Sequence, residues 1–388
     1  MLSSSVAVHG HVAPGLEAVR DAFEANLARR GELGAAFAAV RDGELVADLW
    51  GGTADAASGR AWERETLGNV FSASKALAAI CVLVLTDRGV LDLDAPVALP
   101  WPEFAAQGKG HVRIKDIMSH RARLPVFRAP VAHADLTRPR ALAALLAAQA
   151  QETDPRARLT YHGLTYGTLV GELVRRADGR SLGRFFAEEV AAPLELELWM
   201  GLPAEEEERV ATLRYGEHWG SAPALDPEHV RDDPLTYGLW HNPPLFPPGE
   251  IPWNTRALHA AEIPAAGGIG DARSMARLLG CMARGGTLGG VTLLSEDAVR
   301  RGRRTLARGH DAIVGAPAAY GAGFQLQTER RPLGPPTGAF GHEGAGGSLH
   351  GAWPRERVGF SYIMNDLRDD PGADGRAARL VAALHAAL

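Results

Sequence analysis

Asn69-Val70-Phe71-Ser72-Ala73-Ser74-Lys75-Ala76-Leu77 places a hydroxyl and an amine three residues apart at the head of an apolar run. Residues i and i+3 of a helix share one face, one turn apart, so the Lys75 amine reaches the Ser72 oxygen. A serine hydroxyl is a weak nucleophile until a neighbouring base takes its proton. Lysine serves as that base only when it is neutral near pH 7. Burial disfavours its charged form, and so does the positive end of a helix dipole. Residues 76–85 are almost wholly apolar, which predicts a poorly hydrated amine. The pattern S-x-x-K also arises as a surface serine followed by a surface lysine. The rest of the chain must therefore supply partners before the pair means chemistry.

Upstream, residues 14–30 read as an amphipathic helix with Leu16, Val19, Phe23 and Leu27 on one stripe. Two strands follow at 35–40 and 45–50, with Asp42-Gly43 as the hairpin turn between them. The helix that starts at Ser72 runs to about residue 87, and Gly89 stops it. Further helices are expected at 138–151, 164–176, 181–190 and 271–285. Glu205 to Glu208 is a charge run on a solvated face. Residues 232–255 read as a long loop carrying Trp240, Phe246 and Trp253 among six prolines. Such a loop suits the wall of an apolar pocket, and equally an irregular surface crossover. Strand character returns at 321–327, 338–342, 347–353 and 358–364, and a helix covers 375–388.

This order predicts an α/β domain built from both ends of the chain, residues 1–75 and 262–388. A mostly helical domain, residues 76–261, is inserted between them. At 388 residues the chain exceeds what one hydrophobic core usually organises. A formal net charge of −5 gives no electrostatic reason to expect nucleic acid. The two cysteines, Cys81 and Cys281, lie in apolar helical patterns and read as buried free thiols. Residues 1–6 carry no basic, apolar leader pattern, and no uninterrupted apolar run reaches membrane-spanning length. A cytoplasmic location with no membrane association is the expectation.

Two more elements bear on Ser72 and Lys75. Tyr161, in Tyr161-His162-Gly163-Leu164-Thr165-Tyr166-Gly167, sits just before a helix. A phenol beside a lysine can pass protons between serine, amine and leaving group; a loop tyrosine is also an ordinary packing residue. Phe340-Gly341-His342-Glu343-Gly344-Ala345-Gly346-Gly347-Ser348 crowds glycines beside a strand. That crowding argues for close approach of backbone or ligand, or for a plain turn. No Lys-Ser/Thr follows at phosphate-loop spacing.

Together the three elements resemble the serine β-lactamase and penicillin-binding-protein superfamily. Within it they are most similar to the class C β-lactamase-like branch that includes the family VIII carboxylesterases. Trp50-Gly51-Gly52-Thr53-Ala54-Asp55, Ile117-Met118-Ser119-His120 and Ala261-Glu262-Ile263-Pro264-Ala265-Ala266-Gly267-Gly268 match that branch as well. The resemblance implies a β-lactamase/transpeptidase-like fold, an antiparallel sheet flanked by helices. It makes Ser72 the nucleophile, Lys75 its base and Tyr161 a second acid/base. It also makes the N–H groups of Ser72 and Ala345 the oxyanion hole. No metal or cofactor is required. His342, Gly344, Trp240, Phe246 and Trp253 are the candidate substrate contacts.

The departures from the pattern are informative. Gly163 stands where β-lactamases carry the asparagine of Y-x-N. His342 replaces the lysine of K-T-G with an imidazole that is largely neutral at pH 7. Glu343, if it faces inward, repels anionic substrates; facing outward it has no role. Arg123 stands where relatives often carry glycine. These features favour a small-molecule ester over a penicillin. The expected activity is hydrolysis of short- to medium-chain carboxylic esters. Acyl transfer from the same acyl-enzyme, or weak β-lactamase or amidase activity, is the alternative.

Overall fold

The computed structural model describes residues 7–217, 219–368 and 375–388. The two ends of the chain build one antiparallel sheet. Strands β1 (Val8–Val12), β2 (Gly34–Arg41) and β3 (Glu44–Asp55) come from its beginning. Strands β4 (Ala307–Asp311), β5 (Ala316–Tyr320) and β6 (Gln325–Leu326) come from its end. They are followed by β7 (Phe340–Glu343), β8 (Leu349–Trp353) and β9 (Val358–Met364). The spatial order is β1-β3-β2-β9-β8-β7-β6-β5-β4. The two groups meet where β9 pairs with β2, from Val358 opposite Arg41 to Met364 opposite Ala35. The hairpin between β2 and β3 turns on Asp42 and Gly43, whose φ angles of 55° and 98° are the left-handed pair a type I′ turn needs.

The main helices are α1 (Glu17–Arg29), α2 (Ser74–Asp87), α3 (Pro139–Ala148) and α4 (Leu164–Asp178). Later come α5 (Pro234–His241), α6 (Ala272–Ala283) and α7 (Gly375–Ala386). Helix α1, backed by α7, packs on β1 and β3, while α6 lies across β2, β8 and β9. The α6 contact is so close that a Cβ on Gly359 would stand 2.0 Å from the Gly280 nitrogen. A glycine at 359 is what lets that helix and strand meet. Every residue of α2 from Ser74 to Leu85 is buried, which accounts for its uninterrupted apolar sequence. Both cysteines are free and buried.

Several expectations need correction. The stretch 232–255 is not one long loop, because α5 occupies its first third. Pro234 takes the first helical position, and the Asp233 side chain accepts from the Leu235 N–H at 3.2 Å. Buried Leu235 and Leu239, four residues apart, anchor the helix. The density of prolines masked that signal. Within 321–327 only Gln325 and Leu326 are strand. The hairpin β4–β5 was missed, because its alanines, glycine and proline carry little strand propensity and its pairing partner supplies the order. The charge run also does more than face solvent: Glu207 accepts from Arg256 at 3.1 Å and meets His259 Nδ1 at 2.8 Å. Residues 1–6, where a leader was sought, lie outside the described residues. No helix among the described residues is long and apolar enough to cross a membrane.

Candidate active site

Ser72 sits in a single tight turn, Phe71–Ala73, that leads into α2. Phe71 adopts φ 44°, a left-handed conformation rarely held by a bulky residue. The Asn69 side chain holds it there by accepting from the Phe71 N–H at 2.6 Å. Ser74, the first residue of α2, donates to the Phe71 carbonyl and accepts from the Gly268 N–H at 2.8 Å. Ser74 is thus a clamp on the turn. The strained turn lifts Ser72 out of the helix barrel toward a cleft.

Lys75 is 1% exposed. Its Nζ lies 3.5 Å from Ser72 Oγ and donates to the Ala265 carbonyl at 2.9 Å. The first contact is at the outer limit of a hydrogen bond; such contacts commonly tighten when substrate binds. Burial without a carboxylate partner drives the Lys75 pKa well below the ordinary lysine value, which favours the unprotonated amine. Tyr161 donates its O–H to Ser72 Oγ at 2.7 Å, and Lys75 Nζ stands 4.6 Å from the centre of its ring. Burial raises the Tyr161 pKa, the Ser72 hydrogen bond opposes that shift, and the Glu343 and Asp311 charges add to it. The group facing the serine is therefore a phenol, a proton donor.

Tyr161 is positioned from two sides. Its backbone N–H donates to Asp311 Oδ2 at 2.6 Å, at the tip of the β4–β5 hairpin. Its ring packs against His120 at 5.0 Å between centroids, and His120 also packs on Tyr320 at 4.3 Å. His120 Nδ1 in turn accepts from the His162 N–H at 2.9 Å. Asp311 and His120 are both positioning residues; His120 fixes a loop, as its sequence context suggests, while the sequence does not mark Asp311. Asp311 lies 150 positions from Tyr161, and no local pattern links them. Arg123, with φ 57°, occupies a left-handed position that a glycine would adopt without strain; its guanidinium donates to the Asp154 carbonyl at 3.5 Å.

Strand β7 and the turn after it form the facing wall. A Cβ on Gly344 would lie 2.6 Å from the Val70 carbonyl oxygen, so this strand approaches the serine turn closely because residue 344 has no side chain. Among the described residues, neither the Ser72 N–H nor the Ala345 N–H meets a protein acceptor. Both residues line the cleft. His342 Nδ1 faces the Glu343 carbonyl at 2.7 Å, and its Nε2 is buried with no partner. Burial first, and Lys75 second, push the His342 pKa down to about 3, so the ring is neutral. Glu343 points into the cleft. Gln325 holds it reciprocally: Nε2 donates to the carboxylate at 2.6 Å, and Oε1 accepts from the Glu343 N–H at 3.1 Å.

The cleft has a volume of about 260 Å³. Trp240, Phe246 and Trp253 all line it, with Phe71, Leu239 and Leu245. Phe71 packs on Phe246 at 5.7 Å and on Trp253 at 5.8 Å. Gly163 also lines it, and a Cβ there would come within 2.9 Å of Leu239 Cδ1. Helix α5 therefore fills the space an asparagine side chain would need. Among the described residues, no cluster of His, Cys, Asp or Glu is arranged to hold a metal ion.

The buried histidines make the fold acid-sensitive. Burial depresses His162 to about 4 and His350, like His342, to about 3. These folded-state values lie below the ordinary value near 6.5, so the unfolded chain binds protons first as pH falls. Stability is full above about pH 6.5 and is lost as pH drops toward these folded values, on the order of 3 kcal/mol for His162 and about 5 kcal/mol each for His342 and His350. Calorimetry should show Tm falling steeply between pH 6.5 and 4. A flat Tm across that window would contradict neutral burial of these rings.

The Beta-lactamase family model matches residues 19–384. Esterase/beta-lactamase LipL of Mycobacterium tuberculosis is 33% identical over 367 residues, covering 93% of this chain and 83% of that protein. A family VIII carboxylesterase crystal structure superposes with a TM-score of 0.89 at 37% identity, over 98% of this chain and 100% of that one. A penicillin-binding-protein homologue from Caulobacter crescentus gives 0.89 at 36% identity, with the same coverage. EstA from Arthrobacter nitroguajacolicus gives 0.83 at 30%, over 97% of each chain. With a fold, a serine–lysine–tyrosine cluster at a cleft and relatives that agree along nearly its whole length, the chain belongs to the beta-lactamase family and is a serine hydrolase of that fold.

Proposed function

We propose that this protein hydrolyses short- to medium-chain carboxylic esters through an acyl-enzyme on Ser72. The observation that carries the proposal is the setting of Ser72 Oγ. It is 2.7 Å from the Tyr161 phenol and 3.5 Å from a dehydrated Lys75 amine, and it opens on a largely apolar cleft whose described lining residues include no lysine or arginine besides Lys75. Lys75 takes the Ser72 proton as Oγ attacks the ester carbonyl. The developing oxyanion lies against the N–H groups of Ser72 and Ala345, whose fixed dipoles cost no reorganisation. Tyr161 gives its proton to the departing alkoxide, leaving a phenolate beside the Lys75 ammonium. In the second half a water adds to the acyl carbonyl and loses its proton to the Tyr161 phenolate. Ser72 Oγ then departs and takes back the proton held by Lys75. Every group returns to its starting state.

Substrate size and charge follow from the walls. A volume of about 260 Å³ lies just below the roughly 300–1,000 Å³ of drug-sized sites, which suits a short or medium acyl chain among Phe246, Trp240 and Trp253. A penicillin would find no amide at residue 163, no cation at His342, and a carboxylate at Glu343. The esterase relatives support the same reading. The test compares p-nitrophenyl butyrate with nitrocefin. The ester should lead in kcat/KM by at least about a hundredfold, and parity would overturn the ester preference. Protonated Lys75 cannot accept a proton, so kcat/KM should rise from acid pH to a plateau. A rise in activity on acidification would exclude Lys75 as the base.

A further inference from the structure

Resting on the ester-hydrolase reading above, we propose that the cleft selects esters carrying a positive charge, an ammonium group on the acyl or alcohol part. Glu343 is the specificity-determining anion. It is the sole carboxylate among the described residues lining the cleft, and Lys75 is the sole lysine or arginine there. Lys75 is committed to Ser72 and the Ala265 carbonyl. Among the described residues, no lysine or arginine nitrogen pairs with Glu343; its partner is the neutral Gln325 amide at 2.6 Å. Burial raises the Glu343 pKa, and the Gln325 hydrogen bond and the Arg330 charge oppose that rise; with no ion pair on it the carboxylate is incompletely compensated, and a cation entering the cleft completes it. The surroundings agree. His342 is a neutral ring whose buried Nε2 offers only a lone pair, so it attracts an N–H donor and does not repel a cation. Phe246, Trp240 and Trp253 present aromatic surface, and ring faces favour quaternary ammonium groups. A carboxylate-bearing ester meets the reverse in each case.

The experiment uses p-nitrophenyl esters with one leaving group and acyl chains of equal length, ending in trimethylammonium, methyl or carboxylate. For the wild-type protein kcat/KM should rank cation over neutral over anion, with a cation-to-anion ratio of at least about a hundredfold at low salt. Glu343→Gln should bring that ratio to within about threefold. A wild-type ratio near one, or a ratio that survives Glu343→Gln, overturns the proposal. Should that variant not fold, Glu343→Thr carries the same test, and Glu343→Asp must keep the ranking. Binding separates this proposal from the ester reading. Calorimetry of Ser72→Ala with hexyltrimethylammonium and with hexanoate reads charge preference without turnover. If no ester is hydrolysed but the cation binds at least about tenfold tighter, ester hydrolysis falls and the charge preference stands. If esters turn over without ranking and the two ligands bind alike, the charge preference alone falls.

Discussion

Ser72→Ala should lower ester kcat/KM by at least about four orders of magnitude and abolish labelling by a fluorophosphonate. The size of the effect follows from the site. No other hydroxyl takes the place of Oγ, since Ser74 is tied to the Phe71 carbonyl and the Gly268 N–H. The fold should survive, because Ser72 contributes one small side chain at a solvent-facing cleft. A mass spectrum after exposure to an ester should show the acyl adduct on the wild-type protein and none on the variant. Undiminished turnover in Ser72→Ala would sink the mechanism, whatever the fate of the other residues.

Replacing Lys75 should be nearly as damaging to activity and should move stability the other way. A lysine buried with its pKa driven far down is a cost at neutral pH, because the unfolded chain holds the proton the folded chain gives up. That cost is present below the ordinary lysine value near 10.4 and shrinks as pH rises through it. Lys75→Met keeps much of the volume and removes the cost. The variant should be inactive yet melt at a higher temperature at pH 7, a trade of stability for chemistry. A lower Tm would mean that the 2.9 Å bond to the Ala265 carbonyl outweighs the burial penalty. Tyr161→Phe should cost two to four orders of magnitude, roughly the range of a positioned proton-transfer group. Its Tm should change little, since the Asp311 anchor holds the backbone and not the phenol. If Tyr161→Phe keeps full activity, the leaving group takes its proton from elsewhere.

Much of this was legible in the chain because it is local. The three-residue spacing of Ser72 and Lys75 sets them one turn apart, Ser72 in the tight turn that leads into α2 and Lys75 at the head of that helix. Asp42-Gly43 fixes a hairpin by its own dihedral preferences. The apolar run after Ser74 announces a buried helix. The Tyr161 and His342 segments were recognisable by their order and spacing relative to Ser72. Helix α5 was hidden by prolines that in fact start and end it, and the β4–β5 hairpin by residues that are weak strand formers until a partner strand holds them.

The sequence by itself determined the helix that pairs Ser72 with Lys75, the α/β–helical–α/β order of the chain, and the family. Tertiary structure alone decided how the site is tuned. Closing β9 onto β2 brings the end of the chain beside its beginning, and β7 then borders the serine turn at a distance only Gly344 allows. That closure sets the Tyr161 phenol on an oxygen 89 positions away, anchors it from Asp311, and turns Glu343 inward against Gln325. Such contacts carry no periodicity along the chain. They arise from strand register and from burial, and burial is also what makes Lys75 a base and His342 a neutral ring.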